Sequence, residues 1–237
     1  MRYFAASLIL LALNVPGPAH AQTGHDPRHS PYRDIRHGHS LVATVGRIGG
    51  NGGSLGLGPH SGTVYGLRYD IRLSGPIQFG FSVGNGDLER LIQDPDDSVA
   101  TRTTGPVSQS VTFAEVALQF NLTGAKTWRG LAPYFGGSAG FALGSSVPAD
   151  TTGYDFGNKI YLAPTVGLRY FITGGFHIRA EARALFWKLS YPQSFAEEPD
   201  LEPGTASDPN ALRPAGKLDE WTNSSWLLVG LGFTFSL

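Results

Sequence analysis

Arg68, Asp70 and Arg72 are spaced by two, and so are Arg179, Glu181 and Arg183. In a β-strand that spacing puts all three side chains on one face. Each triplet then sets arginines beside a carboxylate, the pairing that lets charge leave water. Glu115 and Arg169 fall on the corresponding polar face of their own segments. Two readings stay open. These residues form an interlocked Arg–carboxylate network that plugs an enclosed space, or, because arginine outnumbers carboxylate, they line a gated ion path or an anion site.

Other chemistry finds weaker support. Acyl transfer needs a base beside a hydroxyl, but His39-Ser40 and His60-Ser61 are adjacent, so in a strand they point to opposite faces. No catalytic residue is assigned, and the chain reads as a non-enzyme. His25, His29, His37 and His39 are irregularly spaced among Asp, Pro and Arg, which suits a flexible leader better than a metal site. The run Gly49-Gly50-Asn51-Gly52-Gly53-Ser54 is followed by no helical pattern, so it reads as a flexible loop and not a phosphate cradle. No metal or cofactor is expected. The charge distribution resembles no basic nucleic-acid surface.

Residues 1–21 read as a secretory signal peptide, with Arg2, an apolar stretch from Phe4 to Leu13, and Ala19-His20-Ala21 before Gln22. Pro16 and Pro18 end a run too short to cross a bilayer. Residues 22–38 follow as a flexible leader, and 39–237 as one domain. The chain holds no cysteine, which excludes a lipid-modified cysteine and a disulfide framework. A formal charge of −1 conceals two acidic segments, 85–109 and 190–220.

The elements that position the charges follow from a two-residue beat. Ile77, Phe79, Phe81 and Val83 alternate with Gln78, Gly80 and Ser82, and the chain closes on Leu231, Phe233, Phe235 and Leu237 in the same rhythm. Eight strands are predicted, near 40–48, 62–72, 76–85, 110–122, 132–144, 159–172, 176–188 and 223–237. Their connections alternate short and long, as in an up-and-down meander whose two ends face different compartments. Pro164, inside the sixth strand, predicts a bulge or a water there.

Alternation alone leaves open which face points inward. A soluble barrel would turn the apolar face to its core; a membrane barrel does the reverse. The polar face favours the membrane: it is Gly, Ser, Thr and Gln with a few arginines and almost no lysine, unlike a watery surface. Strands of ~10 or more residues match a tilted bilayer crossing. Aromatic residues also gather near strand ends, as interfacial belts require. Ile77, Phe79, Phe81, Val83, Leu231, Phe233, Phe235 and Leu237 are therefore expected to face lipid.

With this pattern the chain resembles the small eight-stranded outer-membrane β-barrel proteins of Gram-negative bacteria, the OmpA/OmpX/OmpW-like group, from about residue 40 onward. The last strand, with Phe233 and Phe235, resembles the group's C-terminal assembly signal, although the final residue is Leu237. The resemblance implies an all-β, closed, antiparallel up-and-down transmembrane barrel in the outer membrane, with both termini in the periplasm. It implies as partners outer-membrane lipids, lipopolysaccharide and the barrel-assembly machinery. No peptidoglycan-binding domain is expected after the last strand, and the oligomeric state is left open. The function expected is structural or surface-interacting, with acidic extracellular loops. The alternatives are a small channel, a lipid A-modifying enzyme or a soluble secreted binding barrel.

Overall fold

A computed structural model describes residues 29–173 and 175–237; the predicted signal peptide and His25 lie outside the described residues. Among the described residues ten strands form: β1 Tyr32–Asp34, β2 His39–Gly50, β3 Ser61–Arg72, β4 Ile77–Gln93, β5 Thr103–Asn121, β6 Lys126–Trp128, β7 Leu131–Gly144, β8 Asn158–Phe171, β9 Phe176–Ser190 and β10 Asp219–Phe235. Eight of them, β2, β3, β4, β5, β7, β8, β9 and β10, pair antiparallel in sequence order, and β10 pairs back onto β2. The barrel is closed, so each of these eight strands has a neighbour on both sides.

Its stagger can be read from the register. The row of paired residues that starts at Arg72 runs through Gln78, Gln119, Gly136, Thr165, Arg183, Trp226 and Ile48 to Gly62, ten residues from its start on β3. A stagger of ten over eight strands tilts them and leaves an interior that side chains fill.

Each predicted strand has its counterpart, but β4, β5 and β10 run further. Asp87 and Glu89 were expected in a loop; they lie on β4, exposed, alternating with buried Leu88 and Arg90. The beat continues there with polar residues outside, so charge marks the end of the apolar band, not the end of the strand. The ladder shifts at Leu91, whose amide donates to the Gly56 carbonyl at 2.8 Å. At Pro164 no bulge forms: the β8–β9 ladder skips Ala163 and Pro164 but resumes in the same register. The Thr165 hydroxyl donates to the Ala163 carbonyl at 3.1 Å.

The described part of the predicted leader is tied to the barrel. Tyr32, Arg33 and Asp34 pair with Trp128, Thr127 and Lys126, on the turn between β5 and β7. That turn lies across the ring from β2, where the chain enters the barrel at His39. Residues 35–38 therefore cross the end of the barrel as a strap. Ile35 is buried, and its carbonyl accepts from Arg72 Nη1 at 2.6 Å.

Outward positions are apolar and exposed around the ring: Phe79, Phe81 and Val83, then Val116, Phe135, Val166, Ile178, Leu231 and Phe233 among them. Ile77 and Phe235 are on the same face but half-buried. Leu237 lies past the end of β10, which stops at Phe235, so it is not part of the strand's outer face. Tyr69 and Phe235 stack near His39 at the terminus end.

Candidate functional site: the two-layered lumen

Short turns mark one end of the barrel and long loops the other, and the lumen is filled differently toward each. In the turn half the inward face carries Arg68, Asp70, Glu115, Arg169, Arg179, Glu181 and Arg183, all buried. Asp70 joins two arginines, accepting from Arg68 Nε and Arg179 Nη1, both at 2.7 Å. Glu181 accepts from Arg179 Nε at 2.5 Å and from Arg183 Nε at 2.8 Å, and also pairs with Arg179 Nη2. Arg183 Nη1 reaches Glu115 at 2.6 Å. Hydroxyls complete the carboxylates: Ser82, Ser138 and Tyr161 donate to Glu115, and Tyr134 to Glu181, at 2.7–2.8 Å.

Six of the eight charges expected inside are thus brought into one network. Arg169 and Arg72 are not. Arg169 donates to Asn121 Oδ1 at 2.5 Å and lies over the Tyr134 and Phe171 rings, with no carboxylate partner among the described residues. Arg72 is at the rim, half-buried, and holds the strap through the Ile35 carbonyl. The reason is position along the strand: Arg72 is the last residue of β3, beyond the level of any inward carboxylate.

Ser82 was expected on the polar face of its strand, but Tyr134, Tyr161 and Ser138 were not placed in the network by sequence. Their signal was available in parity, since all four share the inward face. Glycines make the room. A Cβ on Gly140 would sit 2.7 Å from the Glu115 Cβ and 2.9 Å from the Tyr161 ring, so both large side chains lie over a residue that has none. Gly80 does the same beneath Arg68 and Asp70.

Toward the long loops the filling turns apolar. Phe113, Tyr161, Trp187, Leu185, Trp226 and Leu228 point inward from the strands and pack as one cluster. The loops add Leu57, Tyr154, Phe156, Phe195 and Leu212 to it. Phe156 meets Trp187 edge-on at 5.5 Å, and Tyr191 stacks on Phe195. One further ion pair is buried here, Arg90 Nη2 with Asp150 at 2.7 Å, under the Tyr154 ring. Between the two layers lies a cavity of about 20 Å³, bounded by Arg68, Glu115 and Arg183 on one side and Phe113 and Trp226 on the other. It has room for about one water.

The loops over this end are tied to one another, and the glycine-rich segment is held among them. Ser54 donates its amide and hydroxyl to Glu220 at 3.0 and 2.7 Å, and Arg213 Nη1 reaches both Ser54 Oγ and Glu220. The Tyr191 hydroxyl donates to Glu220 at 2.9 Å. Burial pushes the Glu220 carboxyl up, but the Ser54 and Tyr191 hydroxyls, the Ser54 amide and Arg213 outweigh it and hold it below its ordinary value. Glu198 is lowered by the amides of Gly204 and Asn210. Glu202 accepts from the Val99 amide at 3.1 Å. These acids are engaged in folding the loops.

The candidate histidine pairs are separated. His39 Nδ1 meets the Tyr69 hydroxyl at 2.7 Å on the outside, while Ser40 is buried inside. His60 Nδ1 bonds the Gly58 carbonyl. Among the described residues no group of three or more His, Cys, Asp or Glu is arranged to hold a metal ion.

No family model matches the sequence, and no curated protein matches it. Solved structures do. The outer membrane protein OprG from Pseudomonas aeruginosa is 9% identical with a TM-score of 0.51, over 88% of this chain and 100% of that one. Neisserial surface protein A is 13% identical with a TM-score of 0.48, over 87% and 98%. The N-terminal β-barrel domain of Pseudomonas aeruginosa OprF is 14% identical with a TM-score of 0.44, over 83% and 97%. At these identities the likeness is one of fold. The chain has the closed, antiparallel, eight-stranded barrel of small outer-membrane proteins.

Proposed function

We propose that this protein resides in the outer membrane of a Gram-negative bacterium as a non-catalytic barrel with a plugged lumen, serving a structural or surface-interaction role. The observation that carries the reading is radial inversion: exposed apolar side chains outside, paired charges inside. A soluble barrel with this exterior would hold a continuous apolar surface against water, far beyond what soluble monomers expose. Lipid removes that cost, and the charges inside are tolerated because they are paired and hydrogen-bonded.

The plug has two parts, the charge network and the loop-capped aromatic cluster, which meet at Tyr161 and where Arg183 lies over the Trp226 ring. With termini and short turns in the periplasm, the tied loops form the face presented to lipopolysaccharide and the surroundings. Residues 1–21 serve as the export signal, and β10, with Phe233 and Phe235, is offered to the barrel-assembly machinery.

Three measurements test this. Purified protein should run faster in SDS gels unheated than boiled, and should fractionate with outer membranes. In planar bilayers it should show no discrete conductance; reproducible steps would establish the channel alternative and sink the plug. A protein that stays soluble and shows no heat shift would overturn the membrane reading altogether.

A further inference from the structure

The apolar band outside the barrel differs in height around the ring. On β8 it runs through Ile160, Leu162, Val166, Leu168 and Tyr170, and on β9 from Phe176 to Phe186. At ~3.3 Å per residue and a tilt of roughly 40°, such a stretch rises about 25 Å, the height of an outer-membrane band. On β4 the band runs only from Ile77 to Val83, and Asn85, Asp87 and Glu89 continue the same face. On β3 it ends at Tyr65, before Thr63, and on β2 at Val45, before Arg47. Here it rises only about 15 Å by the same geometry. Roughly 10 Å of bilayer height on this side therefore meets Arg47, Thr63, Asn85 and Asp87.

Those charges are unspent. Arg47, Asp87 and Glu89 are exposed, and among the described residues none of them makes an ion pair. Their register makes the patch complementary to itself. Arg47 pairs across to Thr63, and Thr63 to Asp87, so a cation, a neutral residue and an anion occupy three neighbouring strands in one row.

We propose that the protein forms a two-fold symmetric dimer in the membrane through the loop-end faces of β2, β3 and β4. An axis parallel to the barrel and beside Thr63 sets β2 of one copy against β4 of the other. Arg47 then meets Asp87 of the second copy, and the contact is made twice. Strand tilt puts Asp87 about 6 Å further toward the loops than Arg47, a gap the arginine side chain spans. Tyr65, 65% exposed and one outward position deeper than Thr63, sits beside the axis as an aromatic anchor. Acyl chains match neither sign of this patch, whereas a second copy matches both. The inference rests on the outer-membrane reading given above.

The chain has no cysteine, so Thr63→Cys places a single thiol at the axis. In intact outer membranes, mild oxidation should convert most of T63C to a covalent dimer. Leu162→Cys, on β8 across the barrel, should stay monomeric. In the T63C background, R47D and D87R should each cut the dimer yield about fivefold, and R47D/D87R together should restore it. Equal cross-linking from positions 63 and 162, or a charge swap that does not restore, overturns the proposal. If a variant loses the heat shift of a folded barrel, counting wild-type copies per particle in membranes decides, and single copies overturn it. Monomers in outer membranes would defeat the dimer alone; absence from outer membranes would defeat both readings.

Discussion

Near the short turns the lumen is filled by arginines and carboxylates, and near the long loops, within the same ring of strands, by Phe113, Phe156, Trp187 and Trp226. The two halves differ in where their parts come from. Every member of the charge network stands on a barrel strand, so its geometry is fixed once the strands pair in register. The aromatic half borrows Leu57, Tyr154, Phe156, Phe195 and Leu212 from loops, so it exists only when those loops fold inward. The charge half is therefore exacting in stoichiometry and indifferent to the loops. The aromatic half tolerates exchange of one apolar side chain for another but depends on docking.

The largest expected effect tests that exactness. Glu181 is shared by Arg179 and Arg183, so Glu181→Gln leaves two buried guanidiniums short of a partner. Breaking a buried pair from one side costs about 3–5 kcal/mol. Phe113→Leu, in the other half, keeps an apolar side chain of similar reach and should cost less than about 1.5 kcal/mol. Urea midpoints followed by the gel shift of the folded barrel compare them directly. Equal shifts would erase the distinction between the halves.

Phe195→Ala asks whether the aromatic half is a separable cap. Truncating a buried phenylalanine costs about 3 kcal/mol or more, and Phe195 is fully buried, on a 3-10 turn at Gln193–Ala196. Because the strand ladders do not need this loop, the loss should appear as undocking. Protease should cut within 193–216 while the barrel's urea midpoint moves by less than about 1 kcal/mol. Global unfolding in step with cleavage would show that the halves are one cooperative unit.

The asymmetry also explains what was legible in the sequence. The charge half could be foreseen because parity is a local property: Arg68 and Asp70, or Arg179, Glu181 and Arg183, declare their shared face by spacing alone. Their partners across the barrel, such as Asp70 with Arg179, needed the register. Arg72 misled because parity says nothing of depth, and Arg169 because facing inward does not guarantee a carboxylate. The aromatic half stayed hidden. Tyr154, Phe156, Phe195 and Leu212 lie in segments with no beat, where acidic residues and glycine suggested solvent. Their inward turn is fixed by contacts such as Arg90 with Asp150 and Ser54 with Glu220, between residues far apart in the chain. The two-residue beat is also weak on β2, because Val42 and Ile48 point into the lumen and the strand is apolar on both faces over part of its length.

Glycine gives a smaller and more local contrast. A Cβ on Gly80 would collide with the Arg68 guanidinium and the Asp70 carboxylate, whereas on outward-facing Gly137 its nearest neighbour is the Ala163 carbonyl at 3.8 Å. Gly80→Ala must displace the network and should cost about 1–3 kcal/mol, as overpacking does. Gly137→Ala should stay within about 0.5 kcal/mol of wild type. If the two were equally harmless, the charge network would be looser than its hydrogen bonds describe.

Acid distinguishes the cap by the smallest effect. Glu220 holds Ser54, Tyr191 and Arg213 in its ionised form, and its folded value is depressed. The sign follows: its stabilisation is complete above the ordinary carboxylate value of about 4.3 and is lost as pH falls through the lower folded value. Amide hydrogen exchange in 51–60 and 211–220 should thus be unchanged from pH 7 to 5, after correction for intrinsic rates. It should quicken on acidification below about 4, while the β9 amides beside the charge network hold. Glu220→Gln should abolish the change by making exchange in both loops fast at every pH. A cap that loosens in acid equally with and without Glu220 would shift responsibility to another loop acid, with Glu198, held by the Gly204 and Asn210 amides, the next to replace.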